Sequence, residues 1–220
     1  MTHHAIDFSA LSAREVYKVM IGTIVPRPIA WVTTVSETGV VNAAPYSFFN
    51  CLSADPPIVA LGVENKPDRT FKDTTHNIRM TEAFTINIVD QANVAAMSVT
   101  AAPFAPSVDE LAMAGLTAVP GVHVPCPRIA EAPVAFECRR YIGIEVSSAR
   151  EIVLGQILMA HVREDIIDLA TYYSDHARLD AVGRMGGNGY ATTLDYFDYA
   201  TPSVDEVLST DRGRMKAPTR

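Results

Sequence analysis

Residues 134–147 (VAFECRRYIGIEVS) and residues 152–162 (IVLGQILMAHV) are two long runs rich in β-branched, aromatic and other apolar residues. This composition is typical of strands. A short polar break at residues 148–151 separates the two runs. The pair therefore predicts a long antiparallel hairpin.

The rest of the chain contains shorter strand candidates that are also linked by hairpins or turns. Residues 29–35 have strand composition, Glu37-Thr38-Gly39 supplies a turn, and Val40-Val41 restarts a strand. Residues 58–63 and 84–89 are further strand candidates. Because strands and helices do not alternate regularly, we expect a mainly β fold, an antiparallel barrel with inserted helices, rather than a doubly wound sheet.

Helix signals are short and lie between the strands. Ser12 and Glu15 match a capping box and predict a helix over residues 13–20. The prolines of Val25-Pro26-Arg27-Pro28 exclude a helix there and hold Arg27 in an extended segment. Other helices are predicted over residues 67–80, 92–100, 108–114 and 165–176. Residues 101–133 carry six prolines and predict an irregular excursion. We expect one domain over residues 1–200 and a polar tail over residues 201–220.

Composition excludes several classes of function. The 220-residue chain is 48% hydrophobic, and its formal net charge of −7 argues against nucleic acid as a partner. Three cysteines without C-x-x-C spacing predict neither a disulfide framework nor a cysteine-rich metal site, and the histidines lack metal-type spacing. The first residues lack the features of a signal peptide, and no apolar run approaches the roughly 20 residues of a membrane span. We therefore expect a cytoplasmic protein that binds no membrane.

The first candidate binding segment is residues 42–50 (NAAPYSFFN). Its alanines let a flat ligand approach the backbone, Ser47 and Asn50 offer polar groups, and the aromatic residues offer apolar surface. A flavin needs all three kinds of contact. The local composition alone, however, favours a buried turn whose aromatic side chains belong to the core.

The second candidate is residues 70–78 (TFKDTTHNI). If a helix begins near Asp73, its free amide protons, the Lys72 ammonium and the Thr74 hydroxyl converge and form a site for phosphate. If the helix begins near Pro67, the same residues form the polar stripe of an ordinary surface helix. The sequence leaves both alternatives open.

The third candidate is the glycine-rich turn of residues 183–189, which carries Arg184 and precedes a short strand at residues 190–193. It matches neither a P-loop nor the G-x-G-x-x-G fingerprint. A turn of this kind lets a ligand approach closely, but a flexible connection to the last strand explains it equally well.

Taken in order, these segments resemble a known family. The matching motifs are Arg27-Pro-Ile-Ala-Trp-Val32, residues 42–50, Asp55-Pro-Pro57, Lys72-Asp-Thr74 with Asn77-Ile78, Phe84-Thr-Ile-Asn87, Gly155-Gln-Ile157, and Val182-Gly-Arg-Met-Gly-Gly187 with Tyr190. The ordered set, across roughly residues 10–195, resembles the flavin reductase-like family with the FMN-binding split β-barrel. That family includes flavoredoxin and the reductase components of two-component monooxygenases.

The resemblance implies an antiparallel Greek-key barrel that forms a homodimer, with FMN near the subunit interface. It implies cofactor contacts from Arg27, Thr33, Ala44, Ser47, Phe48, Phe49, Asn50, Lys72, Asp73, Thr74, Arg184 and Tyr190. His161 matches a strand position on the substrate side, although a core histidine is the ordinary interpretation. No catalytic acid or base and no metal are expected, because the flavin itself carries the chemistry.

Three functions are compatible with this resemblance. The leading one is an NAD(P)H-dependent flavin reductase, using NADH or NADPH, that supplies reduced FMN to a partner oxygenase. The second is a flavoprotein oxygenase that keeps FMN bound and attacks a small organic substrate with O2. The third is a non-catalytic electron carrier resembling flavoredoxin.

Overall fold

The computed structural model describes residues 1–209 and is built mainly from β-strands. The strands are β1 (Arg27–Pro28), β2 (Ala30–Val35), β3 (Val41–Tyr46), β4 (Phe49–Ala54), β5 (Pro57–Glu64), β6 (Ala83–Ile88), β7 (Ala118–Val119), β8 (Arg128–Ile129), β9 (Val134–Ser147), β10 (Arg150–Val162), β11 (Val182–Arg184) and β12 (Tyr190–Thr192). The α-helices are α1 (Ala13–Thr23), α2 (Asp73–Thr81), α3 (Val94–Val99), α4 (Glu110–Met113), α5 (His176–Leu179) and α6 (Val204–Ser209). Within residues 1–209, every helix is too short or too polar to cross a membrane.

Seven of the strands form one antiparallel sheet in the order β3-β2-β6-β9-β10-β5-β4. Its edge strands, β3 and β4, are consecutive in the chain, and only Ser47 and Phe48 lie between them. In a flat sheet these edges would lie about 29 Å apart, six spacings of about 4.8 Å. The three Cα–Cα steps from Tyr46 to Phe49 span at most about 11 Å. The sheet must therefore curl into a barrel, as predicted.

The barrel buries both faces of its central strands. Ala30 and Val32 point into an inner cluster that includes Phe84, whereas Trp31, between them, packs into an outer cluster. This alternation follows from the two-residue period of a strand. The outer cluster lies beneath the proline-rich excursion, because it contains Leu111 and Ile129 of that segment.

A buried carboxylate on β9 holds the proline-rich excursion against the barrel. Glu137 is fully buried and accepts hydrogen bonds from the backbone N–H groups of Val122 (2.8 Å), His123 (2.6 Å) and Val124 (3.2 Å). Its Oε1 also lies 2.7 Å from Nε2 of His161. Burial opposes ionisation, but these bonds outweigh it and lower the Glu137 pKa to about 2.

The structure differs from the predicted elements in several places, and it also contains the short strands β7, β8 and β11, which were not predicted. The helix predicted over residues 165–176 is wrong. There, Asp168 accepts hydrogen bonds from the Ala170 N–H and the Thr171 hydroxyl, and these short side-chain bonds favour a turn over a helix. Strand β4 was not predicted, because its residues are largely exposed and lack an apolar pattern. The predicted polar tail contains α6, and residues 210–220 lie outside the described part of the chain.

The Glu137 contacts generate a stability prediction. Glu137→Gln replaces an ionised acceptor with an amide whose NH₂ group faces N–H donors. We expect it to lower the free energy of unfolding at pH 7 by about 2–4 kcal/mol. The stabilisation that ionised Glu137 gives the wild-type protein should be fully present above about pH 4.5, the pKa of this group in the unfolded chain. It should be lost as the pH falls toward about 2, the pKa in the folded protein.

Urea unfolding monitored by circular dichroism at pH 7 measures this effect. Glu131→Gln is the matched control, because Glu131 also accepts a backbone N–H, from Thr117, but at a solvent-exposed position. An equal loss in both variants would contradict the role assigned to the buried carboxylate.

Candidate functional site

Helix α2 begins at Asp73, which decides between the two alternatives left by the sequence. Lys72 is the extended N-cap residue, with φ −64° and ψ 155°, and its side chain makes no capping bond. The helix cannot start at Pro67, because residues 66–70 form a turn in which Arg69 has φ 71°. The first-turn N–H groups of α2, Lys72 and Thr74 therefore lie together at one point.

Three cavities meet at Pro45 and Tyr46, the end of the edge strand β3. The α2 cavity, about 600 Å³, is lined by Ala44, Lys72, Asp73 and Thr74, and on the excursion side by residues 100–104 and Glu110. The Phe48 cavity, about 570 Å³, is lined by Ser47, Phe48, Phe49, Asn50 and Lys72 among others. The Arg184 cavity, about 210 Å³, is lined by Ser47, Met97, Ala101, Arg184 and Tyr190 among others.

Residues 42–50 supply lining residues to all three cavities and also pack against the core. Phe49 packs against the inner cluster, as the alternative of a core turn predicts for an aromatic residue. Phe48 is more exposed and meets Tyr17 of α1 edge to face, with ring centroids 6.2 Å apart. The carbonyl oxygen of Phe48 accepts the N–H of Gly62 at 2.7 Å, which fixes the segment on β5.

Polar contacts hold the α2 side of the site in place. The Asn42 amide donates to the Thr74 hydroxyl at 3.0 Å, and the Lys66 ammonium pairs with the Asp73 carboxylate at 2.9 Å. Burial raises the pKa of the Tyr46 phenol to about 12, so it stays protonated at neutral pH. Arg79 of α2 and Lys66 are both ion-paired, whereas Lys72, the N-cap residue of α2, lines the cavity without an ion-pair partner among the described residues.

The last segment of the barrel reaches the site through a small three-stranded sheet. Strand β11 pairs with β1, which places Arg184 opposite Arg27, and β12 pairs with β11. The Arg184 guanidinium stacks on the Tyr190 ring at 4.5 Å and donates to the Gly187 carbonyl at 2.8 Å. The glycine-rich turn is therefore an ordered connection between two strands that present their side chains to a cavity.

Three residues expected at the site do not line these cavities. The buried Arg27 guanidinium donates to the carbonyls of Ile21 (2.7 Å), Ile24 (2.9 Å) and Met185 (3.1 Å), and its Nε meets the Ser47 hydroxyl at 3.4 Å. Arg27 thus helps to position Ser47 without lining a cavity itself.

The other two residues are engaged elsewhere. The Thr33 hydroxyl, fully buried, donates to the Pro127 carbonyl and accepts from the Asn87 amide. His161 pairs with Glu137, as described above. For Arg27, Thr33 and His161, direct contact with a ligand stays a prediction that these positions do not support.

Glu110 is a site residue that the sequence did not indicate. Its Oε2 accepts the N–H of Ala43 at 2.6 Å, although the two residues are 67 positions apart. Burial raises the Glu110 pKa to about 7, assisted by the nearby charges of Asp73 and Asp109, and the Ala43 N–H opposes that shift. A short helix was predicted here, over residues 108–114, but no local sequence pattern indicated the contact of Glu110 with β3.

Comparison with known proteins assigns the family. The sequence model of the family described as "Flavin reductase like domain" matches residues 21–179. The chain belongs to the flavin reductase-like family. Membership identifies it as a flavoprotein oxidoreductase of a family that uses a flavin and a reduced nicotinamide.

Several solved structures share the fold over most of this chain. Nitrilotriacetate monooxygenase component B from Bacillus cereus is 30% identical with a TM-score of 0.85, covering 90% of this chain and 100% of that one. A 2-nitrobenzoate 2-nitroreductase from Pseudomonas fluorescens is 34% identical with a TM-score of 0.82, covering 91% and 98%. A flavin reductase with a split barrel domain from Shewanella frigidimarina, 22% identical with a TM-score of 0.74 over 87% and 96%, shows the fold alone and confirms the split barrel.

The residues that line the cavities fit a flavin that carries a phosphate. The two larger cavities lie within the range of about 300–1,000 Å³ typical of cofactor sites. The start of α2 with Lys72 and Thr74 offers donors suited to a phosphate. Apolar surface and the Ser47 hydroxyl lie at the junction, as a ring system with one polar edge requires.

Proposed function

We propose that this protein binds FMN across the junction of the cavities. The flavin ring and ribityl chain would lie along residues 42–50, and the phosphate would lie at the start of α2. The observation that carries the proposal is that Lys72 and the first turn of α2 open into the same cavity as Ala44 and Tyr46, and that Lys72 has no ion-pair partner within residues 1–209. That arrangement joins an anion site to the surface where a flat ligand can approach the backbone of β3.

Each residue would have a defined task in this arrangement. Lys72, the Thr74 hydroxyl and the N–H groups of the first turn would hold the phosphate. Ser47 and Arg184, which line the same cavity, would donate hydrogen bonds to the polar edge of the ring. Tyr190 would cover part of the ring and hold the Arg184 guanidinium in place by stacking. Asp73 would contribute its backbone N–H, because its carboxylate is paired with Lys66.

The activity that these residues support best is NAD(P)H-dependent flavin reduction. When bound, FMN supplies the acceptor for a hydride from NADH or NADPH. The protein then needs only to bind, orient and shield the two reactants, which agrees with a site built from donors and apolar surface. We propose that reduced flavin is supplied to a partner oxygenase. The likeness to component B of nitrilotriacetate monooxygenase supports that role.

A second candidate is a reaction of an organic substrate with flavin that stays bound. The 34% identity to a 2-nitrobenzoate 2-nitroreductase favours a nitroaromatic substrate for this candidate. Residues 101–104 of the excursion form one wall of the α2 cavity and would shape the space for such a substrate. The oxygenase alternative needs the same space, whereas an electron carrier does not.

Steady-state turnover distinguishes these candidates. We expect the purified protein to oxidise NADH or NADPH at a rate that rises and saturates with added free FMN, because the flavin acts as a substrate that leaves. Absorbance at the nicotinamide band measures the rate, with and without FMN and with 2-nitrobenzoate. Oxidation that requires 2-nitrobenzoate and ignores free FMN would support the second candidate instead. No oxidation under any condition would contradict both.

The placement of the phosphate can be tested at Lys72. Lys72→Ala should weaken FMN binding about 10- to 100-fold, because it removes a charge-assisted contact worth about 1.5–3 kcal/mol. The same change should leave the affinity for riboflavin, which lacks the phosphate, almost unaltered. Flavin fluorescence titration measures both dissociation constants. Lys18→Ala is the matched control, because Lys18 lies on α1 and does not line the three cavities. An equal loss for riboflavin and FMN would remove the phosphate from this position.

We also propose a homodimer whose contact surface includes the exposed apolar side chains of β9. Val146 is 60% exposed, and Tyr141, Ile142 and Ile144 of the same strand are also exposed. A cluster of large apolar side chains on a strand surface is typical of an interaction site. Val146 lines the Phe48 cavity as well, so a second copy on this face would close that cavity.

A charge placed on this face should separate the subunits. Val146→Glu is expected to convert a dimer into a monomer of 23.8 kDa in light scattering coupled to gel filtration, because burying an unpaired carboxylate is costly. Leu169→Glu is the control, since Leu169 is exposed outside β4 and β9. A wild-type protein that is already monomeric at micromolar concentration would contradict the dimer. A dimer that survives Val146→Glu would place its interface elsewhere.

A further inference from the structure

The α2 cavity contains a buried carboxyl group to which the proposed function gives no task. Glu110 lies on α4, in the proline-rich excursion, and lines the same cavity as Lys72 and Thr74. One of its oxygens, Oε2, is fixed by the N–H of Ala43 on β3. Because β3 is an edge strand of the large sheet, this bond also satisfies a donor that the sheet leaves unpaired.

The surroundings of Glu110 are rich in other charges. The facing groups are Asp109 on its own helix, Lys72 and Asp73 on α2, Lys66 and Asp68 in the turn before α2, and the protonated Tyr46 phenol on β3. Lys66 is paired with Asp73, which leaves Lys72 as the cation available to an incoming anion. Two carboxylates, Asp68 and Glu110, would then line the same space as that anion.

Binding a phosphate in this cavity is energetically unfavourable while Glu110 is ionised. Two negative groups in a partly buried space repel each other more strongly than in water, and each one raises the pKa of the other. Asp68 is exposed and held ionised by the Thr70 hydroxyl and N–H, which lower its pKa. Glu110, by contrast, is buried and receives one N–H bond. It is therefore the carboxyl group of this cavity that takes up a proton most easily.

We propose that Glu110 is a ligand-binding residue of the α2 cavity that becomes protonated when a phosphate-bearing ligand binds. The neutral carboxyl group removes the repulsion and presents an O–H donor toward the cavity, while the other oxygen keeps the Ala43 N–H. The proton comes from solvent, one per bound phosphate. This proposal rests on the proposed function, because it takes FMN as the ligand.

The linkage fixes the direction of the pH dependence. Since the Glu110 pKa in the free protein is about 7, the group is mostly neutral below that pH and binding there takes up little proton. Above pH 7 the group is ionised and must be protonated on binding. The affinity for FMN should therefore fall, approaching about tenfold per pH unit, as the pH rises above 7.

Isothermal titration calorimetry in buffers of different ionisation enthalpy tests the proposal. At pH 8 the wild-type protein should take up close to one proton per FMN bound, and Glu110→Gln should take up almost none. Glutamine keeps the acceptor for Ala43 but cannot ionise. Any proton exchange by the FMN phosphate itself occurs in both proteins, so the difference isolates Glu110. Riboflavin should bind to the wild type without proton uptake.

Asp68→Asn is the matched control, because it removes the same charge from the same cavity. As Asp68 stays ionised over this pH range, its removal should raise FMN affinity in parallel at every pH and leave the proton uptake unchanged. If Glu110→Gln does not fold, FMN binding by the wild type at pH 8 without proton uptake still overturns the proposal.

The outcomes separate the two proposals. FMN binding at pH 8 without proton uptake, or equal uptake by wild type and Glu110→Gln, overturns the role of Glu110 and leaves the proposed function intact. Equal uptake with riboflavin overturns the link to phosphate. A protein that binds no FMN at any pH overturns the proposed function and this proposal with it.

Discussion

The two-residue connection between β3 and β4 is the constraint on which the rest of the structure depends. These strands are the opposite edges of a seven-stranded sheet, and Ser47 and Phe48 alone join them. The connection forces the sheet into a barrel and places residues 42–50 at the seam where the edges approach. β3 and β4 do not pair with each other, and the three cavities meet at Pro45 and Tyr46, where β3 ends.

Two buried carboxyl groups attach the proline-rich excursion to this barrel, one from the barrel and one from the excursion. Glu137 reaches from β9 to the backbone of residues 122–124, whereas Glu110 reaches from the excursion to the backbone of β3. Their pKa values lie far apart for a physical reason. Burial raises the pKa of both carboxyl groups. At Glu137, three N–H donors and His161 outweigh burial and lower the pKa. At Glu110, a single N–H donor does not outweigh burial, and acidic neighbours raise the pKa further. The first carboxylate is thus a fixed anchor, and the second can change its charge.

Much of the fold could be predicted from the sequence, because its signals are local. The β9–β10 hairpin, the capping box of α1 and the extended Arg27 segment depend on short-range composition and on proline geometry. Strand β4 was missed because it is an exposed edge that pairs only with β5. The segment 165–176 forms a turn instead of the predicted helix, because the hydrogen bonds of Asp168 with Ala170 and Thr171 compete with helix formation.

The site was predictable in part. The sequence identified the segments that line the cavities and stated that a helix start near Asp73 would gather the phosphate donors. It could not choose that start over Pro67, nor show that Arg27 is occupied by the carbonyls of Ile21, Ile24 and Met185. Glu110 was invisible because its contact joins residues that only the closed barrel brings together.

A crystal structure of the protein grown with FMN would locate the cofactor on or away from this seam. We expect phosphate density at the first turn of α2 beside Lys72 and Thr74, with the flavin ring along residues 45–47. Density that places the ring away from this seam, or the phosphate beside Arg184 instead of α2, would contradict this placement.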